Sequence, residues 1–398
     1  MRIFRKTKVA LLSAAFLFSC GPLRVSALSS GGGQRDFAIA FSPEELQAPQ
    51  VPAPLAAVRT GDFSSVTPYN FAYLNDLNTK LIDLADSSVD VVMFSITLKD
   101  NPDALLRAKE RGVRIRMVVD ESHLYPKADP QIKRLISAGV DIRTLRGTGR
   151  YGVNHNKILI CDGKAVAVGS YNWTFGATFS NHENTMVAQH PAYLAGYNAY
   201  FEWMWSKARV LSQGPSQEVP EGYYGKPPQD PSPVMELNGT KVPAYLFSPG
   251  SATEDRLAAI LRASRRSADI VTFSFSSRVL AEAVIDANRR GVKVRFLMDR
   301  NMAKGSGLAK LLFSAGVPFR WGIGRNEKGA LHDKFAILDG VVMETGSFNW
   351  TSNASRHSFE NVIFTNDAEA IKAYQYVFDW LYDHAEAPAA ADFDSEAQ

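Results

Sequence analysis

The chain has 398 residues, 45% of them hydrophobic and 21% charged, with a formal net charge of +3. That length allows two ordinary domains, each with a real core, and no internal apolar run is long enough to cross a bilayer. Only two cysteines occur, Cys20 and Cys161, which excludes a disulfide framework or a CxxC metal site.

The first residues form a unit of their own. Arg2, Arg5, Lys6 and Lys8 precede the apolar run from Val9 to Phe18, the pattern of a secretory signal. Val25-Ser26-Ala27 offers a small-residue cleavage site, which makes residues 1–27 a signal peptide. Leu17-Phe18-Ser19-Cys20 offers another, resembling the bacterial lipoprotein box with Cys20 lipidated. The expected location is therefore outside the cytoplasm: periplasmic, extracellular or lipid-anchored through Cys20. Residues 1–27 hold five basic residues and no acid, so the remainder carries −2. A non-specific nucleic-acid binder usually advertises net positive charge, and the whole chain does not. A local basic groove stays open.

Residues 28–60 are rich in Ser, Gly, Pro and Ala and read as a tether. Two copies of one unit follow, over 61–211 and 241–385, separated by a Pro/Gly-rich linker at 212–240. The acidic tail, 386–398, reads as disordered. In each copy a helix with apolar i, i+3, i+4 spacing (near Leu77–Ala85; Leu257–Ala263) leads to a strand, "VDVVMFS" or "ADIVTFS". A second helix ends at an Arg-Gly-Val turn before "RIRMVVD" or "KVRFLMD". Then come a helix to "SAGV", a strand "DIRTL" or "FRWG", and two strands joined at Asp-Gly, a strong hairpin signal. The tripeptide "FSP" at Phe41 and at Phe247 suggests a shared first strand, with a long insertion after it in the first copy. The fold class is α/β: two tandem repeats, each a mixed, mostly parallel sheet flanked by helices, with an antiparallel addition at the hairpin. The aromatic runs "YFEWMW" and "VFDWLY" close the two units and read as core packing rather than a membrane patch.

The hairpin carries the chemistry. "HNKILICDGKAVAVGSYNWT" begins at His155 and "HDKFAILDGVVMETGSFNWT" at His332, with the polar residues identically spaced. His and Lys two apart on a strand share one face, so His155 with Lys157, and His332 with Lys334, point the same way. Ser170, Asn172, Ser347 and Asn349 add neutral donors after the hairpin. Two such sets facing each other put two lysines and two asparagines around one anion with a histidine on either side. That suits a phosphodiester: one imidazole attacks in line, the other protonates the leaving oxygen, and the cations hold the non-bridging oxygens. Asp162 and Asp339 sit at the turns, where a turn or salt-bridge role ranks above catalysis. Glu183 and Glu360 recur downstream, fit either to fix a histidine tautomer or to lie on the surface. Trp173 and Trp350 read as packing beneath the site, and Cys161 as a small buried hydrophobe. No carboxylate or histidine cluster has metal spacing, so neither a metal nor another cofactor is implied.

At these residues the chain resembles the phospholipase D superfamily, whose HxKxxxxD…GSxN motif occurs twice. The resemblance implies a pseudo-twofold pair of α/β units with one shared active site, and hence a monomer with no obligatory protein partner. It also implies metal-independent hydrolysis through a covalent phosphohistidine, and transphosphatidylation when an alcohol replaces water. His155 is then the nucleophile, His332 the general acid, and Lys157, Lys334, Asn172 and Asn349 the phosphate ligands. The "GSYNWT" and "GSFNWT" variants resemble the nuclease and cardiolipin-hydrolase branch. A phospholipid at a membrane surface is the preferred substrate. A secreted endonuclease acting on nucleic acid, and an inactive envelope-binding module, are the alternatives.

Overall fold

The computed structural model describes residues 60–393, plus the backbone of strand β1 (Ile39–Ala40). The proposed signal peptide, Cys20, Phe41 and nearly all of the tether lie outside the described residues. Among the described residues, no helix is long and apolar enough to cross a membrane.

The first repeat runs β2 (Tyr69–Asn70), α1 (Leu74–Leu84), β3 (Ser88–Met93), α2 (Asp100–Glu110) and β4 (Arg114–Asp120). It continues through α3 (Pro130–Ser137), β5 (Asp141–Leu145), the hairpin β6 (Lys157–Cys161) and β7 (Ala165–Gly169), then α4 (Phe175–Phe179) and β8 (Thr185–Ala188). Helix α5 (Pro191–Lys207) and a short β9 (Arg209–Val210) close it. A small hairpin, β10 (Met235–Leu237) and β11 (Thr240–Val242), leads into the second repeat. That repeat has β12 (Tyr245–Ser248), α6 (Thr253–Arg262), β13 (Ser267–Thr272), α7 (Arg278–Arg289) and β14 (Lys293–Asp299). Helices α8 (Arg300–Ala303) and α9 (Gly307–Ser314), β15 (Phe319–Gly322) and the hairpin β16 (Phe335–Leu338) and β17 (Val342–Gly346) follow. Helix α10 (Ser352–Arg356), β18 (Glu360–Thr365) and α11 (Ala368–His384) complete it.

The sheets run β1-β2-β8-β7-β6-β3-β4-β5-β9 and β12-β18-β17-β16-β13-β14-β15. Only the β3-β4-β5 and β13-β14-β15 halves, joined through helices, are parallel, apart from the edge pair β1-β2. All other neighbours are antiparallel, so the sheets are mixed but not mostly parallel. Each hairpin inserts beside the first long strand and recruits β8 or β18, which extends the antiparallel half. In the second copy the first strand does run into "FSP", but its counterpart in the first copy is β2 and not the segment at Phe41. Tyr69 pairs with Met186 as Tyr245 pairs with Ile363, so β2 and β12 correspond and no long insertion separates β2 from α1.

Both Asp-Gly turns have positive φ at both central residues, 54° and 64° at Asp162-Gly163 and 55° and 65° at Asp339-Gly340, the geometry that twisted hairpins favour. The expected linker is packed rather than loose. Tyr224 is buried, donates its hydroxyl to Arg146 O and stacks edge-on against Phe359, while Glu121 accepts Ser216 N–H at 3.0 Å. The tail corrects the expectation of disorder as far as Phe393. That ring is buried against Phe313, Phe319 and Trp321, apolar surface that tail composition alone does not reveal.

The aromatic helices pack crosswise. Tyr200 of α5 stacks on Phe247 of the other sheet at 3.9 Å, and Tyr374 of α11 packs on Phe71 at 4.7 Å. Gly196 lets α5 approach: a Cβ there would lie 2.1 Å from the Tyr245 ring. The closing helices thus bury their aromatic faces in the opposite repeat, which builds one core shared by both units beside a second core within the first repeat.

One buried carboxyl has no counterpart. Glu344 in β17 is 2% exposed and accepts from Trp350 Nε1 at 3.2 Å, and burial pushes its pKa up to about 8. The first repeat has Ala167 there, a void of about 10 Å³ beside it, and Trp173 Nε1 without a partner. A raised folded-state pKa means full stability below the unfolded value of 4.5 and a loss as pH climbs towards 8. Glu344→Gln should match the wild type near pH 4.5 and exceed it by a few kcal/mol at pH 8, read from denaturant midpoints at both pH values. A constant gap across that range contradicts the assignment.

Candidate active site

His155 and Lys157 stand at the entrance of β6, His332 and Lys334 at the entrance of β16. Each approach is pinned by a buried aspartate at the end of a parallel strand: Asp120 accepts Asn154 N–H at 2.6 Å, and Asp299 accepts Leu331 N–H at 3.0 Å. Each histidine backbone N–H then bonds the opposite repeat, His155 to Phe359 O and His332 to His182 O, both at 3.0 Å. The chain therefore enters each motif strand already tied to its neighbour.

The ring contacts are crossed as well. His155 Nδ1 lies 3.0 Å from Glu360, and His332 Nδ1 lies 2.8 Å from Glu183, each glutamate belonging to the other repeat. Both glutamates are buried, so of the two roles open to them, the tautomer-fixing one has the geometry. With Nδ1 bonded to a carboxylate, Nε2 is left for chemistry. The side chains are 13% and 11% exposed, so only an edge of each ring reaches solvent.

Behind the histidines the lysines are held in place. Lys157 Nζ donates to His155 O and Lys334 Nζ to His332 O, both at 2.5 Å, with Phe94 and Phe273 at 5.3 and 5.2 Å. The same two rings pack against His155 and His332 at 5.0 and 4.7 Å. Asn172 and Asn349 each keep a buried Oδ1 without a partner among the described residues. Their amides are uncommitted and free to turn an N–H towards an anion. Thr174 and Thr351 cap α4 and α10 through Ala177 N–H and Ala354 N–H, which explains the threonine that ends each motif.

Not every expected residue reaches the site. Ser170 and Ser347 support it from behind, accepting N–H from Asn184 and Asn361 at 3.0 Å, and Ser170 also bonds Glu183. Asp162 and Asp339 lie at the far ends of the motif strands. Asp162 accepts from Asp86, Ser87 and Ser88 N–H, and Asp339 from Arg265, Arg266 and Ser267 N–H. They fasten each hairpin to the strand beside it and do not approach the phosphate position. Trp173 and Trp350 are fully buried, and Cys161 is a buried free thiol.

Sequence reasoning passed over Asp120, Asp299, Phe94, Phe273 and the residue between each His and Lys. The first four recur in the two copies, in "MVVD" and "FLMD" and in "VMFS" and "VTFS", and that recurrence was the available signal. Between His and Lys the copies differ. Asn156 accepts from Asn361 at 2.9 Å, whereas Asp333 accepts from Asn184 at 2.8 Å and burial pushes its carboxyl up to about 7.

Burial governs the electrostatics. It lowers the His155 pKa against the pull of Glu360, and drives His332 well down with help from Lys334 and Lys157. It also pushes Glu183 up to about 7, Lys157 down to about 7 and Lys334 down to about 8. Two neutral imidazoles with outward lone pairs therefore flank two cations that an incoming anion would stabilise. Among the described residues, no group of three or more His, Cys, Asp or Glu could hold a metal ion.

The family model described as "Cardiolipin synthase, PLD-like domain" matches residues 79–205 and 257–382, more than half of the chain. The chain belongs to the phospholipase D-like family. The mitochondrial cardiolipin hydrolase of Xenopus tropicalis is 39% identical over 145 residues, covering 36% of this chain and 67% of that protein. A phospholipase D of Rickettsia bellii is 33% identical over 148 residues, covering 37% of this chain and 71% of that protein. The phosphatidylserine synthase structure from Haemophilus influenzae matches at a TM-score of 0.61 and 13% identity, over 79% of this chain and 85% of that one, a likeness of fold. The protein is a phosphodiesterase of the phospholipase D type.

His155→Ala and His332→Ala should each lower kcat by roughly 10³-fold or more, and Glu360→Gln or Glu183→Gln by roughly 10²-fold, in steady-state assays. Full activity in either histidine variant contradicts a shared site. Because the lysine pKa values lie near 7 and 8, positive charge is lost as pH rises. Inhibition by inorganic phosphate should therefore weaken between pH 7 and 9, and a Ki that tightens there contradicts this charge assignment.

Proposed function

We propose that the protein hydrolyses the head-group phosphodiester of a phospholipid through a covalent phosphohistidine on His155. The crossed histidine–glutamate pairs carry this reading, because they aim two Nε2 atoms from opposite repeats at one lysine-lined space. His155 Nε2 attacks phosphorus as the bond to the leaving oxygen breaks, and His332 gives that oxygen its proton. The anion and Glu183 favour the protonated imidazole that this step needs. His332 then takes a proton from water, the water oxygen attacks phosphorus, and the P–N bond breaks to restore His155. Lys157, Lys334, Asn172 and Asn349 hold the non-bridging oxygens as charge builds.

The lipid assignment draws on the cardiolipin hydrolase and phospholipase D relatives. It is also consistent with the exposed rings of Tyr151, just before the first motif, and Phe175, just after it. Location outside the cytoplasm is part of the proposal and rests on residues 1–27 alone, as the monomeric state rests on both motifs sharing one chain.

Purified protein offered phosphatidylcholine, cardiolipin and single-stranded DNA side by side, with a chelator present, should turn over a phospholipid. Turnover of DNA alone, with steep salt dependence, replaces the lipid reading by the nuclease one. Acid quenching during turnover should trap phosphate on His155, and an adduct on His332 reverses the two roles.

A further inference from the structure

A second cationic feature lies away from the active site. Arg262 at the end of α6, Arg265, and Arg290 after α7 line a cleft of about 410 Å³, together with Ser264, Asn238 and Thr240. All three arginines are exposed. Ser264 is 1% exposed and lines the cleft, and its Oγ has no hydrogen-bond partner among the described residues. A buried hydroxyl left unpaired is costly, and in a ring of guanidinium groups its natural partner is an anionic oxygen.

The neighbouring carboxylates engage one of the three arginines and leave two uncompensated. Asp286 pairs with Arg290, and the Asp339 carboxylate is occupied by the backbone N–H groups of Arg265, Arg266 and Ser267 and by Asn238. Among the described residues, no ion pair engages Arg262 or Arg265, whose side chains are the free cations of the cleft.

The first repeat supplies the contrast. Aligning "RGVRIRMVVD" with "RGVKVRFLMD" sets Asp83, Ala85 and Asp86 opposite Arg262, Ser264 and Arg265, while Arg290 matches Arg111. Asp83 is closed off by Arg107 at 2.7 Å and Arg111 at 3.5 Å. The shared framework thus keeps Arg290, which donates to Arg262 O and Ser264 O as Arg111 does to Ile82 O and Asp83 O, but does not require arginine at 262 or 265. Two acids stand opposite two bases, and an alanine opposite a serine, at one end of one repeat.

We propose that this cleft is a second anion site, which takes a phosphate group through Arg262, Arg265 and the Ser264 hydroxyl. It is separate from the catalytic phosphate. Arg265 and Arg266 precede β13 whereas Phe273 follows it, so strand β13 separates the two sites by roughly 20 Å. The phosphate held here is not cleaved, since no histidine lines the cleft among the described residues. A lipid head-group and a soluble phosphate present the same chemistry to these residues.

The test compares full-length wild type with Arg262→Asp/Arg265→Asp and with Ser264→Ala, all three changes taken from the first repeat. Titration calorimetry with inorganic phosphate should show two binding events in the wild type. The cleft event should vanish in the double variant and weaken about threefold to tenfold in Ser264→Ala. Hydrolysis of a water-soluble diester, its competitive inhibition by phosphate, and the thermal midpoint should be unchanged. Co-sedimentation with phosphatidylcholine vesicles, with and without phosphatidylglycerol, identifies the source. A loss of about tenfold or more in binding to the anionic vesicles, confined to the cleft variants, assigns a lipid head-group. Cleft-dependent calorimetry without cleft-dependent sedimentation assigns a soluble phosphate. The proposal fails if all three proteins bind phosphate and vesicles alike. It also fails if Ser264→Ala has no effect where the double variant does, because diffuse surface charge would then suffice.

Discussion

The site depends on a crossed clamp in which the histidine of each repeat is oriented by a buried glutamate of the other. Burying a carboxylate beside an imidazole is costly unless the geometry is satisfied, and here satisfaction requires both halves. Glu183 in an isolated first repeat would face no imidazole, and His155 would lose the bond that selects its tautomer. Folding of the unit and assembly of the site are therefore one event. The surrounding contacts repeat the arrangement. Asn361 reaches Asn156 and Asn184 reaches Asp333, while Tyr197 and Tyr374 from the closing helices bond Asn361 and Asn184. Rigid strands carry the reactive groups, and a second ring of amides and phenols fixes the strands against each other.

The twofold relation is kept where chemistry needs it and relaxed elsewhere. His, Lys, Ser, Asn and Glu match across the axis, as do the aspartates that fasten the strands. Between the lysines and the outer surface the copies part. Asn156 stands opposite Asp333, Ala167 opposite Glu344, and an acidic, ion-paired helix end opposite the arginine cleft. Each departure changes buried or local charge within the same succession of elements. This agrees with close packing that tolerates a changed side chain more readily than a shifted strand.

Much of this was legible in the sequence, because spacing reports which face a side chain takes. His155 with Lys157, the Asp-Gly hairpins and the helical runs all follow from period and turn chemistry. Spacing does not report which partner a face meets. Glu183 and Glu360 were recognisable as recurring acids, yet nothing local says that each serves the opposite histidine. The same gap explains the sheets. Alternating helices and strands give the parallel half, whereas the antiparallel half arises from β8 and β18 returning beside the hairpins, a long-range choice. "FSP" misled because a tripeptide match carries less information than the register that pairs Tyr69 with Met186. The linker and the first part of the tail, polar in composition, are held by single aromatic anchors, Tyr224 and Phe393.

Gly196 shows what joining the halves in one chain makes available. It lets α5 close upon Tyr245, whereas the matching position in α11 is Ala373. If the same architecture were assembled from two identical subunits, the contact would be isologous, and any substitution would appear on both sides of the axis at once. Covalent fusion removes that demand for self-complementarity. One seam can narrow to a glycine while its mate keeps a methyl group, and each half acquires surfaces that need not suit its twin.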